Sequence, residues 1–158
     1  MVSLEEQQLR NGFEKVFMGA AGSAGGAGLD VDEVFSTYLY KGTSTARSIT
    51  NGIDLAGEGG LVWTKGRVAT GNNLCDTELG TGKYLSSNVS WAATSNSNVV
   101  TSFNSDGYSF GTEGDMNQNT APLASWTFRK APKFFDVVTW TGNGTAGRTV
   151  AHNLGSAP

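Results

Sequence analysis

The sequence predicts a mainly β protein: an antiparallel β-sandwich or jelly-roll-like domain preceded by an N-terminal amphipathic helix. Three observations carry that expectation. The 158 residues include 22 glycines and only 16% charged residues, a balance that suits short strands joined by turns better than long helices. Runs rich in aromatic and β-branched residues recur from residue 34 onward, each bounded by Gly, Asn or Pro. Helical periodicity is confined to residues 3–18. A lone cysteine, Cys75, makes no intrachain disulfide, so packing or assembly must hold the fold.

The helix begins with Ser3 and Glu6, a capping box in which the hydroxyl and the carboxylate each satisfy a free N-terminal amide. Leu9, Phe13, Val16 and Phe17 follow at i, i+4, i+7 and i+8 and share one face. Residues 19–28 are all Gly, Ala or Ser and supply neither a core face nor fixed backbone angles. The chain therefore divides into a docking helix (1–18), a Gly/Ala-rich flexible tether (19–32), a β-rich domain (33–136) and the start of a second β-unit (137–158). A helix on such a tether suits docking to another protein, or to other copies of the chain, and its stripe is the expected interface.

Within the β domain, strands are expected at 34–40, 61–65, 99–104, 125–130 and 134–141, with a long surface loop over 86–98. Trp126 and Phe128 alternate with Ser125, Thr127 and Arg129, which gives that strand one buried and one wet face. Asp106 and Gly107 tolerate the positive φ of a tight turn and predict a hairpin there. Pro132 breaks the chain between the last two strands. The final expected strand belongs to an internal repeat. Tyr40-Lys41-Gly42-Thr43-Ser44-Thr45-Ala46-Arg47 returns as Trp140-Thr141-Gly142-Asn143-Gly144-Thr145-Ala146-Gly147-Arg148: an aromatic, a small polar turn, then a basic strand start. The second copy stops where the strand 61–65 should recur, which predicts the front of a longer modular protein.

Several functions are disfavoured. A net charge of −3 without clustered Lys or Arg does not suit phosphate contacts, so no nucleic-acid partner is expected. No stretch approaches the roughly 20 apolar residues of a membrane span, and Glu5 and Glu6 stand where a signal peptide is basic. The expectation is synthesis in the cytosol without export or membrane insertion. His152 is the single histidine, so neither a multi-His metal site nor a paired-imidazole site is available. Cys75 lies beside Asp76, which disfavours a thiolate, and reads as a structural thiol. Asp76 and Glu78 could share a strand face as a carboxylate pair, though a solvated edge answered by Lys83 or Arg67 is favoured. The stretch Asp115-Met116-Asn117-Gln118-Asn119 opens like a calcium loop, but Thr120 and Trp126 replace its required Gly and Glu. Gly57-Glu58-Gly59-Gly60 precedes a strand and reads as a turn, since phosphate loops open helices. No catalytic residue, metal or cofactor is expected. Trp91 and Tyr108, set among polar residues, are candidate sugar-stacking contacts.

Five ordered blocks, Phe35-Ser36-Thr37-Tyr38-Leu39-Tyr40, residues 50–63 from Thr50 to Trp63, Thr101-Ser102-Phe103-Asn104-Ser105-Asp106-Gly107, residues 125–138 and His152-Asn153-Leu154-Gly155, together resemble a domain of tail-fibre and related virion proteins of tailed bacteriophages, especially those of marine cyanobacteria. The likeness spans roughly residues 33–158 and leaves out 1–28. It implies a non-enzymatic β-rich domain in a virion appendage, with lectin-like sandwiches as the architectural analogy and a homotrimer as the usual assembly. The resulting expectation is a tail-proximal fibre part that docks through Leu9, Phe13, Val16 and Phe17 onto a tail adaptor or tube protein. The alternative is a carbohydrate-binding module that meets host surface glycans through Trp91 and Tyr108.

Overall fold

A computed structural model of the chain describes residues 28–68 and 71–155. The expected helix with Leu9, Phe13, Val16 and Phe17 lies outside the described residues. From Val31 onward the fold is mainly β. A single helical turn, α1 (Val31–Val34), leads into β1 (Phe35–Lys41), β2 (Arg47–Thr50), β3 (Gly60–Gly66), β4 (Asn72–Asp76), β5 (Lys83–Ser86), β6 (Thr94–Ser95), β7 (Val100–Asn104) and β8 (Gly107–Phe110). A second turn, α2 (Gly114–Asn117), precedes β9 (Pro122–Arg129). A six-stranded sheet runs in the order β1-β9-β3-β4-β5-β6, and a three-stranded sheet runs β2-β8-β7. All named pairs are antiparallel.

The two sheets close on one apolar core. Tyr40, Val62, Cys75 and Leu123 face inward from the larger sheet and meet Ile49, Val100, Tyr108 and Phe110 from the smaller, with Ile53, Leu55, Val99 and Met116 filling from the loops. Each fully buried aliphatic or aromatic side chain here contributes about 1.5–3 kcal/mol. On β9 the faces are the reverse of what polarity suggests. Ser125 and Thr127 are completely buried, whereas Trp126 and Phe128 lie half-buried on the outer side. On that inner side Ser125 lies beside the Tyr108 hydroxyl and Thr127 accepts from Asn51.

At the β1–β2 corner the chain leaves the large sheet for the small one. The Tyr40 hydroxyl donates to the Met116 carbonyl at 2.8 Å, and the buried Asn117 accepts from the Thr43 amide at 2.8 Å while donating to the carbonyls of Thr45 at 2.7 Å and Gly111 at 2.8 Å. Arg47 closes the corner by donating to the Lys41 carbonyl at 3.0 Å, its guanidinium 5.5 Å from the centre of the Tyr40 ring. One contact of this corner recurs in the second copy of the repeat. Arg148 donates to the Thr141 carbonyl in the same way, with Gly147 as the one inserted residue. Residues 137–155 nevertheless contain no strand.

Three other expectations change. The strand at 134–141 is absent: Lys133 adopts φ 63°, and the chain folds back so that Phe135 bridges Ala131 and stacks on Phe128 at 5.2 Å. The two hairpin-loop residues are Ser105 and Asp106, and Gly107 already opens β8. It is required for close approach, because a Cβ there would sit 2.0 Å from the Ile49 carbonyl oxygen. Finally, β4 and β5 are strands that composition hid.

Candidate functional site

The outer face of the six-stranded sheet is the most distinctive surface among the described residues. Its side chains follow from the pleat: with Val62, Thr64, Ser125 and Thr127 inside, their neighbours point out. Register lines up Thr37, Trp126, Trp63, Leu74 and Leu85 across five adjacent strands. The next row carries Phe35, Phe128 and Leu61. Leu39, on β1, is 63% exposed, and Leu85, on β5, is 38% exposed. The rings pack in tilted pairs, Trp63 with Trp126 at 5.3 Å and Phe35 with Phe128 at 5.0 Å. Lys65, which donates to Asn72 at 3.1 Å, provides a polar margin. Five strands at about 4.8 Å spacing make this face roughly 20 Å wide. A broad apolar face centred on two tryptophans can cover another apolar surface, as the anchored centre of an interface does.

A charged cluster lies near one end of β9. Lys130 pairs with Glu78 at 2.8 Å and with Asp136 at 3.5 Å. The Asp136 carboxylate is almost completely buried and also accepts from the amides of Asn153 at 2.7 Å and Val137 at 2.9 Å. Those bonds, the Asn153 amide foremost and Lys130 beside it, hold its carboxyl below the usual range. The hydrogen bond to Glu78 foremost, helped by the charges of Glu78 and Asp136, holds the Lys130 ammonium above its own range against the lowering effect of burial. The shallow pocket beside it is lined by Glu58, Lys130, Pro132, Phe135, Asp136 and Asn153. The cluster fastens the 136–154 segment to β9 and to the β4–β5 turn.

The remaining candidates disperse. Trp91 is 72% exposed in the β5–β6 loop. Tyr108 is wholly buried, so its ring offers no face to a sugar. It shares the inner side of β8 with Phe110, and its hydroxyl pKa is raised well above normal by burial. Asp76 ends β4 and accepts from the amides of Glu78 and Leu79 at 2.9 and 2.8 Å, whereas Glu78 lies beyond the strand and answers to Lys130 in place of Lys83 or Arg67. They do not form a carboxylate pair. Burial pushes the Cys75 thiol up to about 12, against a lowering bond with the Val100 backbone, as a structural thiol requires. His152 is exposed, and its Nδ1 accepts from the Leu154 amide at 3.2 Å. In the calcium-like stretch, Asp115 accepts from the Gly71 amide at 2.7 Å and Asn117 turns into the core. Among the described residues no three His, Cys, Asp or Glu side chains group as metal ligands, and no helix is long and apolar enough to cross a membrane. Sequence reasoning missed Asn117, Lys130 and Asp136. Only Asn117 left a signal, as an amide within a short polar run that also holds the apolar Met116.

Residues 30–158 match a protein family described as a domain of unknown function, DUF7483, and the chain belongs to that family. No curated protein and no solved structure matches the chain.

Proposed function

We propose that this chain is a structural component of a bacteriophage tail fibre, the tail-proximal part that anchors the fibre to the virion tail. The observation that carries the reading is the outer face of the six-stranded sheet. Trp63, Trp126, Leu39 and Leu85 make it a surface for packing against a neighbouring subunit. The resemblance of five sequence blocks to virion appendage proteins supports it independently. In this reading the stripe of Leu9, Phe13, Val16 and Phe17 engages a tail adaptor or tube protein, the 19–28 tether absorbs symmetry mismatch, and the sandwich begins the shaft. The test is to replace Phe13 and Phe17 with Asp. The sandwich should fold normally and particles should lack fibres; fully decorated particles would refute the anchoring role.

The second reading is glycan recognition on the virion, favoured by one observation, the highly exposed Trp91 ring. Binding of the chain to a glycan array, abolished by Trp91→Ala, would support it, and an unchanged array pattern in that variant would remove it.

A further inference from the structure

The sheets enclose a polar row that the apolar core does not explain. Thr64 on β3 pairs in register with Asn73 on β4 and with Ser125 on β9. All three side chains are completely buried, side by side at the spacing of adjacent strands, about 4.8 Å. Tyr108 approaches from the facing sheet, its hydroxyl beside Ser125 but short of hydrogen-bond geometry. Five buried polar atoms result: Thr64 Oγ1, Asn73 Nδ2 and Oδ1, Ser125 Oγ and Tyr108 Oη have no partner on any described residue.

Elsewhere this chain satisfies its buried amides. Asn117 uses both ends of its side chain in three short bonds, and Asn51 donates to Thr127 at 2.8 Å on the same inner face. Five unpaired atoms at one place would be costly enough to rival the net stability of a domain. We infer that this row is a binding site for a small neutral hydrogen-bonding guest, namely a cluster of ordered water bridging Asn73, Thr64 and Ser125 to Tyr108. The chemistry selects that class. None of the four side chains carries a charge, so an ion would be desolvated without compensation. The set mixes donors with acceptors, which water matches from both sides. A buried water makes 2–4 such bonds, so five atoms call for two molecules or more.

Oxygen-17 relaxation dispersion on the full chain counts long-lived internal waters, and a high-resolution crystal structure locates them. The expected result is a dispersion equivalent to two or more waters, with oxygens within hydrogen-bond distance of the named atoms. The combined variant Thr64→Val, Asn73→Leu, Ser125→Ala, Tyr108→Phe should abolish that contribution. Should it fail to fold, Tyr108→Phe alone, which removes one hydroxyl from the site, should lower the dispersion by at least one water equivalent. Equal dispersion in native protein and Tyr108→Phe, or a crystal structure in which the five atoms bond one another with no water between them, would overturn the inference.

Discussion

Replacing Asn117 with Ala isolates the clamp that fixes the β1–β2 corner. The side chain is completely buried and serves three backbone groups, the Thr43 amide and the carbonyls of Thr45 and Gly111. Each net bond lost costs about 0.5–1.5 kcal/mol, and a backbone group left unpaired in the interior raises that to about 1–3. Thr43 and Thr45 are exposed and water can replace part of their bonds, whereas Gly111 is buried, so one group bears the larger penalty and the expected loss is about 2–4 kcal/mol. With an m-value of about 2 kcal/mol/M in urea, the middle of the usual range, the unfolding midpoint should fall by roughly 1–2 M. Asn117→Asp, which keeps the acceptor for Thr43 but loses both donations, separates the two halves of the clamp and should lie at least as low. An Asn117→Ala midpoint within about 0.3 M of the native protein would refute the reasoning, since the corner would then stand without its central amide.

Other perturbations test other levels of the structure. Leu39→Lys and Leu85→Lys, at exposed positions of the outer face, should change stability by no more than about 0.5 kcal/mol yet reduce the number of fibres assembled on particles, counted by negative-stain microscopy. Gly107→Ala places a Cβ 2.0 Å from the Ile49 carbonyl and should cost about 1–3 kcal/mol by forcing β2 and β8 apart, read from the same urea midpoint. Cys75, its thiol pushed up to about 12 by burial, should resist a thiol reagent at pH 8 in the native protein and react at once in denaturant. Asp136 has a lowered folded pKa and Lys130 a raised one. Their linkage therefore stabilises the fold between the ordinary carboxylate and ammonium ranges. It fades as pH falls through the depressed Asp136 value, and again as pH rises through the raised Lys130 value. Asp136→Asn should flatten the acid limb of stability against pH and speed tryptic cleavage after Arg148.

Much of the β framework was legible because β1, β3, β7 and β9 are rich in aromatic and β-branched residues with alternating burial. Strand β4, Asn72-Asn73-Leu74-Cys75-Asp76, was hidden by its composition: the fold buries Asn73, a residue that ordinarily signals a turn. The segment 134–141 misled for the opposite reason. It has strand-forming residues, yet positive φ at Lys133 and stacking of Phe135 on Phe128 turn it back. Tyr108 looked accessible beside a polar turn, whereas its alternation with Phe110 was the decisive signal. The outer face was half visible. Alternation on β9 gave its two sides, but polarity assigned them the wrong way round, because the strand's own sequence does not say which side the facing sheet covers. The Lys130 cluster joins residues more than 50 positions apart in part, a separation that no local pattern encodes.

The proposed role in attachment is tested most directly by imaging phage particles assembled with this chain carrying a small electron-dense label at Asn88, an exposed position in the β5–β6 loop. Label at the junction between tail and fibre is the expected result. Label confined to the distal fibre tips, or absent from the particles altogether, would contradict it.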